Sequence, residues 1–468
     1  MFIKKVDVLE IVYFSVFSMI FFQGMFWDYS WKIGWSLMSL TSFLLLGFFA
    51  YKIYRGTILF DKFLFFLGMS VFILYEPFLF LLLGLGFPFV WGTETPDDYI
   101  GNKVGLIVSI YIIFFYVGRT FALNFIRPRD DFIKHNNKFN PIFLSIFIFL
   151  SLIPFFLFGT GNFIDNFFLN IAGRSSGYVA FATAGLGTQS PVISLFAQTI
   201  VISVILLFIY SRNKTNLFKL FVIFLSLVLF ALYVSLGGRS GPVTAILTLG
   251  ILWYLKRTKP LTGFVIPFLA VITSIILIFQ INFRSSGNLD DGFSRSIAVG
   301  SELNRELAFI ASHYGEKEEF IVSNDIISST ILPIYDTIIL LITNPIPRIL
   351  WKEKPIDESY APYNYLRVGS SGFEQDTNIT PTVPGRFYMK YGLIGVMEAG
   401  ILVGFLWSWT NIYIRKYKKE PILLLTIPVF CSCLLFAATR ELSAGRIYPL
   451  LFLLLFYYLN RVTLKHKQ

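Results

Sequence analysis

The chain has 468 residues, of which 55% are hydrophobic, 18% aromatic and only 14% charged, with a mean hydropathy of +0.68. A water-soluble protein of this length needs more polar surface to stay dispersed, so the composition excludes an ordinary soluble fold. The formal net charge is +11, and the placement of the bases, set out below, explains it without nucleic acid.

From the N-terminus, apolar runs fall at about 6–26, 33–54, 62–90, 104–125, 140–159, 190–211, 216–236, 242–256, 262–283, 390–413, 421–438 and 446–461. A hydrocarbon core of roughly 30 Å takes about 20 helical residues. Helices are the expected spanning form, because each satisfies its own backbone in lipid and no alternating barrel pattern is present. The expected fold is therefore an all-α polytopic membrane protein of about 12 transmembrane helices. The first run follows Lys4 and Lys5 directly and lacks a small-residue cleavage site, so it is read as a span. The third is overlong and carries Glu76-Pro77, so it is expected to kink or to lie partly at the interface. Cys431 and Cys433 stand two apart inside an apolar run, as packing residues do, which argues against a disulfide scaffold or a zinc site.

The bases sort by connector. Of the 39 Lys and Arg, 22 fall in connectors on one side, among them Lys4, Lys5, Lys52, Arg55, Lys62 and the 415–419 cluster. Short connectors on the other side hold six: Lys32, Lys103, Arg174, Arg239, Arg440 and Arg446. The positive-inside rule then places both termini in the cytoplasm and the long connector outside. This gives three parts: spans 1–9 in residues 1–283, a large extracytoplasmic loop at 284–389, and spans 10–12 in 390–468.

Base identity also differs between the faces. The inner connectors hold 15 Lys and 7 Arg, whereas the outer side, long connector included, holds 10 Arg and 6 Lys. Topology does not require Arg, but its rigid fork grips phosphate at two points. Several outer arginines lie beside small residues: Arg174 in AGRSSG, Arg239 in GGRSGP, Arg284 in NFRSSG and Arg386 in PGRFY. Small neighbours let backbone amides approach an anion. A single such arginine is better explained by snorkelling to headgroups; the repeated pattern on one face points to an anion site.

Residues 284–387 carry 14 acidic and 9 basic side chains. Within 293–313, Leu303, Leu307 and Ile310 share a helical face opposite charge, predicting a helix at the membrane interface. The apolar stretch 326–343 contains Pro333 and Asp336 and reads as a re-entrant or interfacial pair of half-helices, since a full span would invert everything after it. NPIPRILWKEKP (344–355) and NITPTVPGRFYMKYGLIG (378–395) follow, rich in Pro, aromatics and Arg. Trp351, Tyr388, Arg348 and Lys354 are candidates to stack on sugar or hold phosphate; taken alone, Trp351 is better read as part of an ordinary aromatic belt.

In motif order, from about 230 to 450, the chain resembles the Wzy-type O-antigen and capsule repeat-unit polymerases. The matching features are GRSGP after a span, Arg284 a span later, PRILWKEKP, the NITPTVPG-x-FY-x-x-YG-x-x-G block opening a span, and the outer turn TRELSAGR. One departure is that the family has Glu after the PG of its block, where this chain has Arg386. The resemblance implies a GT-C-like fold and transfer of a growing glycan from undecaprenyl diphosphate to the terminal sugar of a new lipid-linked repeat. That activity would lie at the outer face of a bacterial cytoplasmic membrane and serve lipopolysaccharide or capsule synthesis. Implied partners are the lipid-linked oligosaccharides, the bilayer, a chain-length regulator and a flippase, with no cofactor.

Such chemistry needs cations for the departing diphosphate and an acceptor for the hydroxyl proton. Arg239, Arg284, Arg348 and Arg440 lead for the first role, with Arg174, Arg386 and Arg446 beside them. Candidates for the second are His313, Asp336, Glu441 and the intramembrane Glu398. His313 titrates near the useful range when unperturbed, although a histidine on an amphipathic helix is more often a surface residue. Glu441 beside Arg440 is also a plain ion pair. Glu398 has Arg119 as a partner only where spans four and ten meet. No DxD, HExxH or Cys/His set demands a metal. An O-antigen ligase-type transferase differs only in acceptor. A flippase or other transporter would show repeats and a charged central cavity, and no repeat is evident.

Overall fold

The structure, a computed structural model, describes residues 5–27, 31–55, 60–74, 98–125, 141–158, 191–211, 214–235 and 382–417, together with 307, 309–312, 351, 455, 456, 458 and 459. The runs expected at 242–256, 262–283 and 421–438 lie outside these, as do the re-entrant stretch and most of the long connector.

Among the described residues the chain is helical throughout, without a strand. The helices are α1 (Lys5–Trp27), α2 (Trp31–Tyr54), α3 (Phe60–Met69), α4 (Asp98–Phe125), α5 (Pro141–Phe158), α6 (Pro191–Ser211), α7 (Asn216–Ser235) and α8 (Val383–Tyr417). Among the described residues, four stretches are long and apolar enough to cross a membrane: Val8–Trp27, Trp31–Ile53, Asp98–Phe125 and Tyr391–Trp409. Local chemistry fixes the helix starts. α5 and α6 open on proline, whose missing N–H costs nothing in a first turn. The Thr215 hydroxyl accepts the Phe218 amide ahead of α7.

α3 passes into a π-helical turn at Ser70–Leu74, just ahead of the kink expected at Glu76-Pro77. The turn's last carbonyl, that of Leu74, accepts the Ser39 hydroxyl of α2.

Large apolar side chains cover the outside as well as the core. Leu9, Met19, Phe26, Leu217 and Phe224 are each at least 65% exposed. In water these faces would drive aggregation; against lipid tails they are at no disadvantage. The chain is a membrane protein with apolar helices.

The hydrophobic effect gives little help between helices in lipid, so close packing must hold the bundle. α1, α2, α3 and α4 pack in alternating directions. Tyr13 meets Thr41 and Phe21 meets Trp35 across α1 and α2. Phe49 meets Phe66 across α2 and α3, and Phe65 stacks on Phe115 of α4 at 3.7 Å between centroids. α4 returns along α1, with Ser18 donating to Ser109 at 2.8 Å. α8 lies against α4 in the same direction: Lys103 lies near Tyr388, and a Cβ added at Gly400 would stand 2.7 Å from the Tyr111 carbonyl. One added at Gly404 would collide with the Phe115 carbonyl. Glycine thus brings two backbones into contact. Separately, α5 packs on α6 and α6 on α7.

Candidate functional site

Two polar centres interrupt the apolar bundle, one at each end. The first is built on the start of α8. Thr382 caps the helix, its hydroxyl accepting the Gly385 amide at 3.0 Å and its carbonyl the Arg386 amide at 2.8 Å. Pro384 has no amide to satisfy. The block TVPGRFY therefore folds as a capped first turn, which sets Arg386 and Tyr388 in the opening turns of α8. Both are buried, at 8% and 5% exposure.

Gly385 makes room for the long connector. A Cβ there would stand 2.9 Å from Ile310 Cδ1 and 3.2 Å from Leu307 Cδ2. Leu307, Phe309, Ile310 and Ala311 are buried and helical. Leu307 and Ile310 thus share a face, as their spacing predicts, and it meets the first turn of α8, while Leu303 and the rest of 293–306 lie outside the described residues. Lys103 of α4 ties the pieces together. Its ammonium donates to the Ala311 carbonyl at 2.7 Å and lies 5.7 Å from the Tyr99 ring centroid and 5.9 Å from that of Tyr388.

α8 breaks a turn later. Gly392 has φ 63° and ψ −149°, a region open essentially to glycine alone. The break brings the Phe387 carbonyl over Gly395, where a straight helix would separate the two by about 12 Å. Residues 383–391 therefore form a short arm at an angle to the membrane-crossing part of α8.

The second centre lies at the opposite end. Asp61 and Lys62, adjacent in the first turns of α3, make two buried ion pairs with other helices. Asp61 Oδ2 accepts Arg119 Nε of α4 at 2.7 Å, and Lys62 Nζ meets Glu10 Oε2 of α1 at 2.5 Å. Ser408 of α8 reaches the same Asp61 oxygen at 3.5 Å, and the Lys62 amide donates to Asp61 Oδ1 at 2.9 Å. The Lys62 ammonium also lies 5.2 Å from the Phe49 ring centroid and 4.9 Å from that of Tyr116. All four ionic side chains are at most 7% exposed. Such burial is tolerated because each charge has its counter-charge at hydrogen-bond distance.

Sequence reasoning missed this centre. The charge pattern assigns Lys62 to a basic connector, whereas the structure buries it. Glu10 and Asp61 were not singled out, yet the signal was present: an acidic residue within or at the margin of an apolar run rarely stands without a partner. Spans four and ten do meet, as α4 and α8, and Arg119 there binds Asp61; Glu398 lies part-buried on α8.

Of the site residues expected from sequence, Arg386 and Tyr388 belong to the first centre and Trp351 is 39% exposed. Arg174, Arg239, Arg284, His313, Asp336, Arg348, Lys354, Arg440, Glu441 and Arg446 lie outside the described residues. Among the described residues, no group of three or more His, Cys, Asp or Glu is placed to hold a metal ion. What the first centre offers chemically is a cation and aromatic rings where the long connector meets the bundle. No protein-family model, curated protein or solved structure matches the chain.

Proposed function

We propose that the chain is a glycosyltransferase that polymerises undecaprenyl-diphosphate-linked oligosaccharide repeats at the outer face of the bacterial cytoplasmic membrane. In this reaction an acceptor hydroxyl of a new lipid-linked repeat attacks the anomeric carbon of the growing glycan. The bond from that carbon to the lipid diphosphate breaks, and the hydroxyl proton passes to a base. Outer arginines, Arg239 and Arg284 first, stabilise the charge gathering on the diphosphate. His313, Asp336 and Glu441 are the candidate bases.

The observation that carries this reading is the packing of the TVPGRFY block. The motif of the resemblance folds as a capped arm, docked on the long connector's helix and on Lys103. Helix direction supports the topology that the reaction needs. Lys5, Lys52, Arg55 and Lys62 gather at one end of the alternating bundle, and Lys32, Lys103 and Arg386 at the other. The parallel run of α4 and α8 requires an odd number of crossings between them. The five expected runs at 140–159, 190–211, 216–236, 242–256 and 262–283 supply it, and a further span at 326–343 would not. Twelve spans with cytoplasmic termini satisfy both constraints.

Arg239→Ala and Arg284→Ala are expected to abolish long glycans while single capped repeats persist, read as a gel ladder of surface polysaccharide from cells expressing each variant. Normal chain length in both variants would remove these arginines from the reaction.

A further inference from the structure

Lys103 differs from the two buried cations of the ionic centre. Lys62 and Arg119 are each neutralised by a carboxylate. Lys103 faces none among the described residues; its contacts there are one carbonyl and two tyrosine rings. An ammonium has three N–H donors, and the Ala311 carbonyl uses one. Lys103 is half-buried, beside Tyr99, which is 44% exposed. The rings restrict where the side chain can lie, and the carbonyl fixes its reach. A lysine that merely snorkelled to water would need neither.

The neighbouring helix start offers no competing anion site. Thr382 already engages the Gly385 and Arg386 amides, and Pro384 has none.

We propose that Lys103 is a phosphate-binding residue of the outer face, its ammonium preset by Ala311, Tyr99 and Tyr388 to donate to a phosphate or diphosphate oxygen. This rests on reading that face as the substrate side, and it adds a binding residue from the N-terminal half of the chain. Phosphate oxygen is common to a prenyl diphosphate and to an anionic headgroup, and binding tells them apart. The long connector is fastened by the same ammonium, so occupancy of the site bears on how that connector is held.

The test uses the full chain in nanodiscs, with farnesyl diphosphate titrated into zwitterionic discs and phosphatidylglycerol varied in a second series. Binding is followed by intrinsic tryptophan fluorescence. Lys103→Gln keeps a donor for the Ala311 carbonyl and removes the charge; Lys103→Arg keeps both. The expected result is about tenfold weaker binding for Lys103→Gln, the loss of one charge-assisted hydrogen bond, with near-normal binding for Lys103→Arg. A change confined to farnesyl diphosphate identifies the lipid diphosphate as the ligand, and one confined to phosphatidylglycerol identifies a headgroup. Equal binding of both ligands by wild type and Lys103→Gln, with equal thermal midpoints, would overturn the proposal. Charge-dependent binding by a wild-type protein that forms no polymer would instead overturn the polymerase reading alone.

Discussion

At Gly392 a single backbone angle decides the shape of α8. Alanine at φ 63° and ψ −149° would be strained by about 1–3 kcal/mol. Gly392→Ala is therefore expected to lower the thermal midpoint of the detergent-solubilised protein, measured by fluorescence-detected size exclusion; an unchanged midpoint would show that the break is not required. The buried pair of Asp61 and Arg119 makes a second test at this scale. Arg119→Met leaves a buried carboxylate without its main partner, at a cost of about 3–5 kcal/mol. Asp61→Leu combined with Arg119→Met removes both charges and is expected to recover most of that loss. Additive losses in this double-mutant cycle would mean that the two side chains are not coupled.

Between elements, the seam of α4 and α8 depends on glycine where backbones touch. A methyl group at Gly404 meets the Phe115 carbonyl, which cannot rotate aside, whereas one at Gly47 of α2 meets nothing within 4 Å. Gly404→Ala is thus expected to lower the thermal midpoint and Gly47→Ala to leave it level or raise it, since alanine favours helix by about 1 kcal/mol. The reverse order would contradict the packing. The helices themselves were legible in the sequence. The runs 6–26, 140–159, 190–211 and 216–236 coincide with α1, α5, α6 and α7 to within a residue or two, because apolar length alone sets a helix in lipid. The Leu307 and Ile310 face was legible from its spacing. The break at Gly392 was not: the YG-x-x-G of the motif block carried it, but a glycine in an apolar run reads equally as a packing residue. Nor was the ionic centre, since pairing between Glu10, Asp61, Lys62 and Arg119 depends on which helices become neighbours. Counting charges along the chain places Lys62 in a connector; three dimensions place it between two aromatic rings.

For the whole molecule, the alternating directions of α1–α4 and the parallel run of α4 and α8 put Lys103, Arg386, Leu307 and residues 309–312 at one end of the bundle and the ionic centre at the other. With Cys431 and Cys433 replaced by Ser, a cysteine at Trp351 is expected to react with an impermeant maleimide on intact spheroplasts, and one at Arg55 only after lysis. Labelling of Arg55→Cys before lysis would invert the topology and move the long connector inside. The arginine-rich outer face matters to the proposed chemistry only if that orientation holds. The most direct measurement supplies the purified, reconstituted protein with lipid-diphosphate-linked repeat units, in the absence of nucleotide sugars, and resolves the products by size. A ladder of lengthening glycans with matching release of prenyl diphosphate is the predicted result. Unextended repeats under these conditions, with the protein folded and the lipid-linked substrate accessible, would contradict the account.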